Sequence, residues 1–415
     1  QETPPSQKID TFIEASYKQH NVKPNAPTND ETFCRRLYLD VVGRIPSKEE
    51  LTTFLNDTDA GKRAKLIDKL LDSEGYVSHT YNWWADILRV QTQGMNGRGG
   101  EAGQAYSAWI KNAIRSNMPY DTFVRSLVTA KGYVWENGAV GYYIRDAGMP
   151  LDNMSNTAQV FLGTRVVCAQ CHNHPFAHWK QTEFEGLAAC FGQLDYTMVG
   201  VVDRPGKKFE VEDRETLTKR QVTPQVPFHL EWCSSRGSPR DRLAEWVTHP
   251  ENKRFERAIV NRIWGLMFGL PFLADRPVDD LPDPEDPTFQ KQTEVLDLLG
   301  PRQHAGRRQP APGLRQVRRM GRRGMVVGIE RDRVGRGVVQ GADEPDVGRD
   351  LDAAPADGVA DIMHFPPLGP ELRWCAGGGV AALVFVQGQN QLRIDEKLGD
   401  LVILPVTDTL VDGLG

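Results

Sequence analysis

The stretch VVCAQCHNHPFAHW, Val166 to Trp179, holds two cysteines, three histidines, a phenylalanine and a tryptophan. No other part of the chain concentrates metal-binding and reactive side chains in this way. Within it, Cys168-Ala169-Gln170-Cys171-His172 fits C-x-x-C-H, the spacing that attaches c-type haem. Two thiols three residues apart can each add to a vinyl group of one porphyrin, and the adjacent histidine then ligates the iron. The chain's own Cys and His frequencies predict the pattern about 0.002 times by chance.

Three chemistries use these residues. The first is covalent haem, with Cys168 and Cys171 as thioether links and His172 as proximal ligand. Its distal ligand would come from Met198, Met154 or Met149, with Met198 grouped with the two cysteines and His172, or the iron would stay five-coordinate. The second is zinc or another divalent metal held by the cysteines with His172, His174 and His178. In that case His172 and His174 could start a hydrolytic centre, completed by a carboxylate such as Asp152. The third is a structural disulfide, Cys168 to Cys171 or Cys168 to Cys190, beside packed histidines. Haem attachment requires export, and a first residue Gln1 in place of Met is the expectation left by a removed leader.

The elements that must position this stretch read as helices. In IPSKEELTTFL, Ser47 and Glu50 have capping-box spacing, with Leu51, Phe54 and Leu55 on one face. Leu66, Ile67, Leu70 and Leu71 form an apolar stripe, and Trp83, Trp84 and Trp109 belong to aromatic-rich helices whose rings should pack in a core. QTQGMNGRGGEAG, Gln91 to Gly103, lacks the strand and the Lys-Ser or Lys-Thr ending of a phosphate cradle, and reads as a surface loop. After the motif, Thr182 and Glu185 suggest a second capping box, with Phe184, Leu187, Ala188 and Phe191 buried. Residues 195–230 alternate with β-branched content and predict a small hairpin or meander. Helices return from Pro239, where Val260, Ile263, Trp264 and Met267 share a face and Asn261 and Arg262 bridge to neighbouring loops.

A net charge of −5 argues against a general nucleic-acid-binding protein, and no nucleic-acid partner is expected. No run approaches the roughly 18–20 apolar residues that cross a bilayer. Six cysteines in 415 residues are too few for a disulfide scaffold. The composition breaks near residue 300. Residues 1–300 hold 15 Lys and 20 Arg, whereas residues 301–415 hold 1 Lys and 14 Arg, no Ser, no Tyr and 18 of the 39 glycines. That imbalance reads as GC-rich DNA translated out of frame, with a disordered basic arm as the alternative.

The stretch FLGTRVVCAQCHNHPFAHWKQTEFEGLAACF and the N-terminal IDTFIEASYKQHNVKPNAPTNDETFCRRLYLDVVGRIPSKEELTTFL together resemble the cytochrome-like domain of unknown function in large exported planctomycete proteins. HPENKRFERAIVNRIWGLMFGLPFLADRPVDDL resembles the second domain of unknown function that habitually follows it. The resemblance covers residues 7–300. It implies export to the periplasm or cell surface, c-type haem at Cys168, Cys171 and His172, and no established reaction. Through an association with sulfatases and polysaccharide-degrading systems, it implies a carbohydrate-active enzyme or polysaccharide as partner, beside an unidentified redox partner. Residues 201–230 match poorly, and the second domain should continue helically beyond Leu299. The expected architecture is mainly α. A helical cytochrome-like domain spans 7–195 and a β-rich linker or insertion spans 196–238. The start of a truncated second helical domain spans 239–300, and 301–415 is an Arg/Gly-rich tail, disordered or out of frame.

Overall fold

Asn29 starts one of the first helices by accepting a hydrogen bond from the Thr32 N–H at 2.9 Å, ahead of two acids in the first turn. The computed structural model describes residues 5–24, 26–92, 100–144, 146–197, 200–212 and 217–299, with four three-residue strands between 375 and 405. Its N-terminal helices are α1 (Pro5–Gln19), α2 (Asp30–Val42), α3 (Lys48–Asn56), α4 (Lys62–Leu71), α5 (Glu74–Ile87), α6 (Gly100–Arg115) and α7 (Tyr120–Val128). The fold is mainly α, as the helical periodicities predict.

The capping box at α3 is formed at both ends. Glu50 accepts from the Ser47 N–H at 2.7 Å while Ser47 accepts from the Glu50 N–H at 3.2 Å. Leu66, Ile67, Leu70 and Leu71 are buried on α4, and Trp84 is buried between Trp83, at 4.9 Å, and Phe123, at 5.1 Å. Trp109 stacks on the same Phe123 at 5.2 Å. Trp84 is core, and Trp83 and Trp109, partly buried, pack against that core through edge-to-face and offset ring pairs.

Two expectations differ from the structure. The segment read as a loop to Gly103 already turns helical at Gly100. Glycine's poor helix propensity hides this. It is needed at Gly103 because a Cβ there would lie 1.9 Å from the Gln91 carbonyl oxygen. The second capping box is also displaced. In α9 (Gln181–Ala188) the N-cap is Lys180, whose N–H donates to Glu183 at 2.9 Å, and Glu185 is instead buried and paired with Arg220. Phe184, Leu187, Ala188 and Phe191 are buried as expected.

α8 (Pro150–Thr157) precedes the motif. The predicted β region forms two small sheets. β1 (Gly132–Tyr133), β3 (Gly200–Asp203) and β2 (Leu194–Thr197) lie in that order, antiparallel, with Tyr196 opposite Val201. β4 (Phe209–Glu212) and β5 (Lys219–Val222) make a separate hairpin. α10 (Pro239–Val247), α11 (Lys253–Phe268) and α12 (Gln290–Leu299) follow.

These last helices share one apolar cluster with the first seven. α12 packs on both α11 and α1, and Phe12 of α1 meets Phe272 with ring centroids 6.3 Å apart. Arg240 on α10 is buried and donates to Asp203 of β3 and to the carbonyls of Val128 and Ala130. No helix among the described residues is long and apolar enough to cross a membrane.

Within a second unit, residues 341–415, β6 (Cys375–Gly377) pairs with β7 (Val380–Ala382) and β8 (Leu392–Ile394) with β9 (Ile403–Pro405), both antiparallel. The basic run 301–329, and with it the disordered or out-of-frame reading of most of the tail, lies outside the described residues.

Candidate functional site

The chain reaches the motif through an unusual turn. α8 widens into a π-helical turn, Ala158–Leu162, closed by the Gly163 N–H donating to the Ala158 carbonyl. Gly163 adopts a left-handed φ of 57°, and a Cβ there would stand 3.1 Å from Leu281 and 3.2 Å from Ala258. A side chain here would be strained by the left-handed φ and would crowd Leu281 and Ala258.

A 3₁₀ turn, Val167–Gln170, follows. Residues three apart eclipse one another in this geometry, so the pairs sort by face. Val166 and Ala169 are buried, whereas Cys168 and Cys171 are exposed. The turn is held by the Ala169 N–H on the Val166 carbonyl at 2.9 Å and the Cys171 N–H on the Cys168 carbonyl at 3.3 Å.

The three histidines have three different jobs. His172 is exposed, and its Nδ1 donates to the Asn173 carbonyl at 2.6 Å. A carbonyl can only accept, so that contact puts the proton on Nδ1 and leaves Nε2 for a metal. His174 is a turn organiser. Its Nδ1 accepts from the N–H groups of Phe176 at 3.2 Å and Ala177 at 3.0 Å, and its own N–H donates to the Trp179 carbonyl at 2.8 Å. His178 stands 3.3 Å from the Asp283 carboxylate and stacks on Trp179 at 5.1 Å.

Asp283 also accepts from Arg254 at 2.6 Å. Arg254 lies over Trp179 at 6.0 Å and over Phe228 at 5.2 Å. Burial pulls this guanidinium below its ordinary range, and Asp283 opposes the shift. At the other end of the motif, Asp279 accepts from Arg165 at 2.9 Å and from Gln159, and the Leu281 N–H donates to the Gly163 carbonyl at 2.7 Å.

The proposed metal set is not gathered. Among the described residues no three His, Cys, Asp or Glu side chains stand where one ion could be held. Cys168 and Cys171 are free thiols, as are Cys34, Cys190 and Cys233. Neither disulfide of the third reading is formed in this structure. Cys190 is buried on the 3₁₀ turn after α9, where burial pushes its thiol up to about 12, while Cys168 is on the surface. Met198 lies outside the described residues. Met154 is fully buried in the core, unsuited to a surface motif, and Met149 is exposed at the start of α8. Asn261 reaches a loop as expected, whereas Arg262 reaches the π-helical turn. Asn261 accepts from the Leu273 N–H at 3.0 Å and Arg262 donates to the Gln159 carbonyl at 2.9 Å.

Sequence reasoning missed the Asp279–Asp283 stretch. Its three acids and Pro282 mark a loop, and no local signal says where that loop docks.

Comparison with curated proteins and with solved structures gives no match. Residues 8–196 match the family model of PSCyt2, a protein of unknown function (DUF1549), and residues 239–302 match that of PSD1, a protein of unknown function (DUF1553). The chain carries, in that order, segments that match these two family models.

Proposed function

We propose that the chain is an exported c-type haem protein that transfers electrons, with Cys168 and Cys171 as thioether links and His172 as the proximal iron ligand. The observation that carries this reading is the single exposed face formed by the two thiols, with Val166 and Ala169 buried behind them. His172 fits its role because the Asn173 carbonyl holds Nδ1 and leaves Nε2 for iron. Phe176, 94% exposed, and Val167, 51% exposed, give the same loop apolar surface that a porphyrin edge would cover. The name of the first family, PSCyt2, points the same way.

When bound, haem supplies one-electron exchange at iron. The chain's contribution is to hold His172 on a short, buried-backed turn and to keep the attached face at the surface, within reach of a partner. The partner class we assign is a carbohydrate-active enzyme or polysaccharide, on the strength of the resemblance of residues 7–300. Covalent attachment outside the cytoplasm is the reason for placing the protein in the periplasm or on the cell surface.

The full chain, produced in a host that matures c-type haem, should show a Soret band and visible bands that change reversibly with dithionite and ferricyanide. A colourless protein would remove the reading, and metal analysis of that sample would then decide for or against a divalent ion.

A further inference from the structure

Both ends of the motif loop are tied to one five-residue stretch, Asp279 to Asp283. On the N-terminal side, Asp279 binds Arg165 at 2.9 Å and 3.1 Å and also accepts from Gln159. The Leu281 N–H reaches the Gly163 carbonyl at 2.7 Å, and Asp280 receives the Arg165 N–H at 3.5 Å. On the C-terminal side, Asp283 faces His178 at 3.3 Å and holds Arg254 over Trp179. Between these anchors, the contacts of Asn173 and His174 stay within residues 172–181.

We propose that Asp279 and Asp283 are positioning residues for the motif: the second matched segment clamps the two ends of the loop and thereby sets how Cys168, Cys171 and His172 are presented. A loop closed on one rigid stretch has fewer accessible arrangements than one tethered only through its own backbone. The Arg165–Asp279 and Arg254–Asp283 bonds join charged groups and are charge-assisted, which makes them directional as well as attractive, and His178 adds a contact to Asp283 at 3.3 Å. The candidate site is thus built by both segments, although all of its reactive residues come from the first. The consequence for the iron rests on the haem reading above. The consequence for the loop does not.

The test uses Arg165→Gln and His178→Gln in the full chain. These side chains are 48% and 54% exposed, so loss of either should leave folding intact. Hydrogen exchange in apo protein should rise up to about fivefold at residues 166–179, the loss of one half-exposed polar contact, while α2 and α5 are unchanged. Asp283→Asn, which also removes the partner of Arg254, should loosen the loop at least as much as His178→Gln, and adding His178→Gln to it should add little. In haem-loaded protein the same variants should shift the reduction potential or the axial-ligand spectrum.

Unchanged exchange in the loop, or an equal rise throughout the chain, would overturn the clamp. A loosened loop with an unmoved potential and spectrum would overturn its role toward iron. Intact mass reads haem independently, so a chain without haem defeats the functional reading while the apo exchange still judges the clamp.

Discussion

Leu281 donates its backbone N–H to the carbonyl of Gly163 at 2.7 Å. A residue of the second matched segment thereby holds the left-handed turn that delivers Cys168 and Cys171 to the surface. The same residue also crowds the turn, since a Cβ at Gly163 would stand 3.1 Å from the Leu281 side chain.

Gly163→Ala should therefore destabilise the full chain by about 1–2 kcal/mol, from the left-handed φ together with the contact on Leu281. Gly100→Ala is the control, since a Cβ there meets nothing within 4 Å. Urea titration should show a lower midpoint for the first variant and an equal or higher one for the second. Equal midpoints in all three proteins would contradict the packing at Gly163.

Thiol reactivity should separate by burial. In apo protein without reductant, Cys168 and Cys171 should alkylate first. Cys34 and Cys190 should wait for unfolding, because burial pushes their thiols up to about 11 and about 12 and leaves almost no thiolate at neutral pH. Peptide mass spectrometry over time reads this order. Cys168 and Cys171 that label only after reduction would mean that they form a disulfide.

Arg240 joins α10 to the sheet from inside the core. Arg240→Met removes the partner of Asp203 and leaves the carbonyls of Val128 and Ala130 without that donor. It should cost about 3–5 kcal/mol in chemical denaturation, as expected for an uncompensated buried charge. Adding Asp203→Asn should recover part of the loss, because the stranded carboxylate is then gone. Additive losses would mean the pair is not coupled.

Glu50 gives a pH signature. The Arg44 guanidinium holds its carboxyl at about 2, well below the ordinary 4.5. A depressed carboxylate contributes stability that is present above 4.5 and lost as pH falls through about 2. Arg44 is half exposed, so Arg44→Gln should cost no more than about 1 kcal/mol at pH 7. The gap between the two proteins should close with acidification over that window. A gap that persists at the acid end would assign the effect to something other than this pair.

How much of this was legible in the sequence depends on the range of the interaction. The Ser47–Glu50 box and the Leu66, Ile67, Leu70, Leu71 stripe are local patterns, and they form as predicted. The start of α6 was hidden because Gly103 is selected by a close backbone approach that propensity does not see. The cap of α9 moved two residues toward the N-terminus because Glu185 pairs with Arg220 of β5 and leaves Glu183 to cap. At the site, the C-x-x-C-H spacing picked out the residues proposed to carry haem. That Cys168 and Cys171 face outward needed the 3₁₀ turn, and the hold of Asp279 and Asp283 on Arg165 and His178 needed the tertiary fold.

The central claim is covalent haem at Cys168 and Cys171. Its most direct measurement is the intact mass, after acid denaturation, of the full chain exported in a host with c-type haem maturation, beside Cys168→Ala and Cys171→Ala. The account predicts one haem retained by the parent chain and a weakened or lost attachment in each variant. A parent chain at its apo mass, with both thiols open to alkylation, would contradict it.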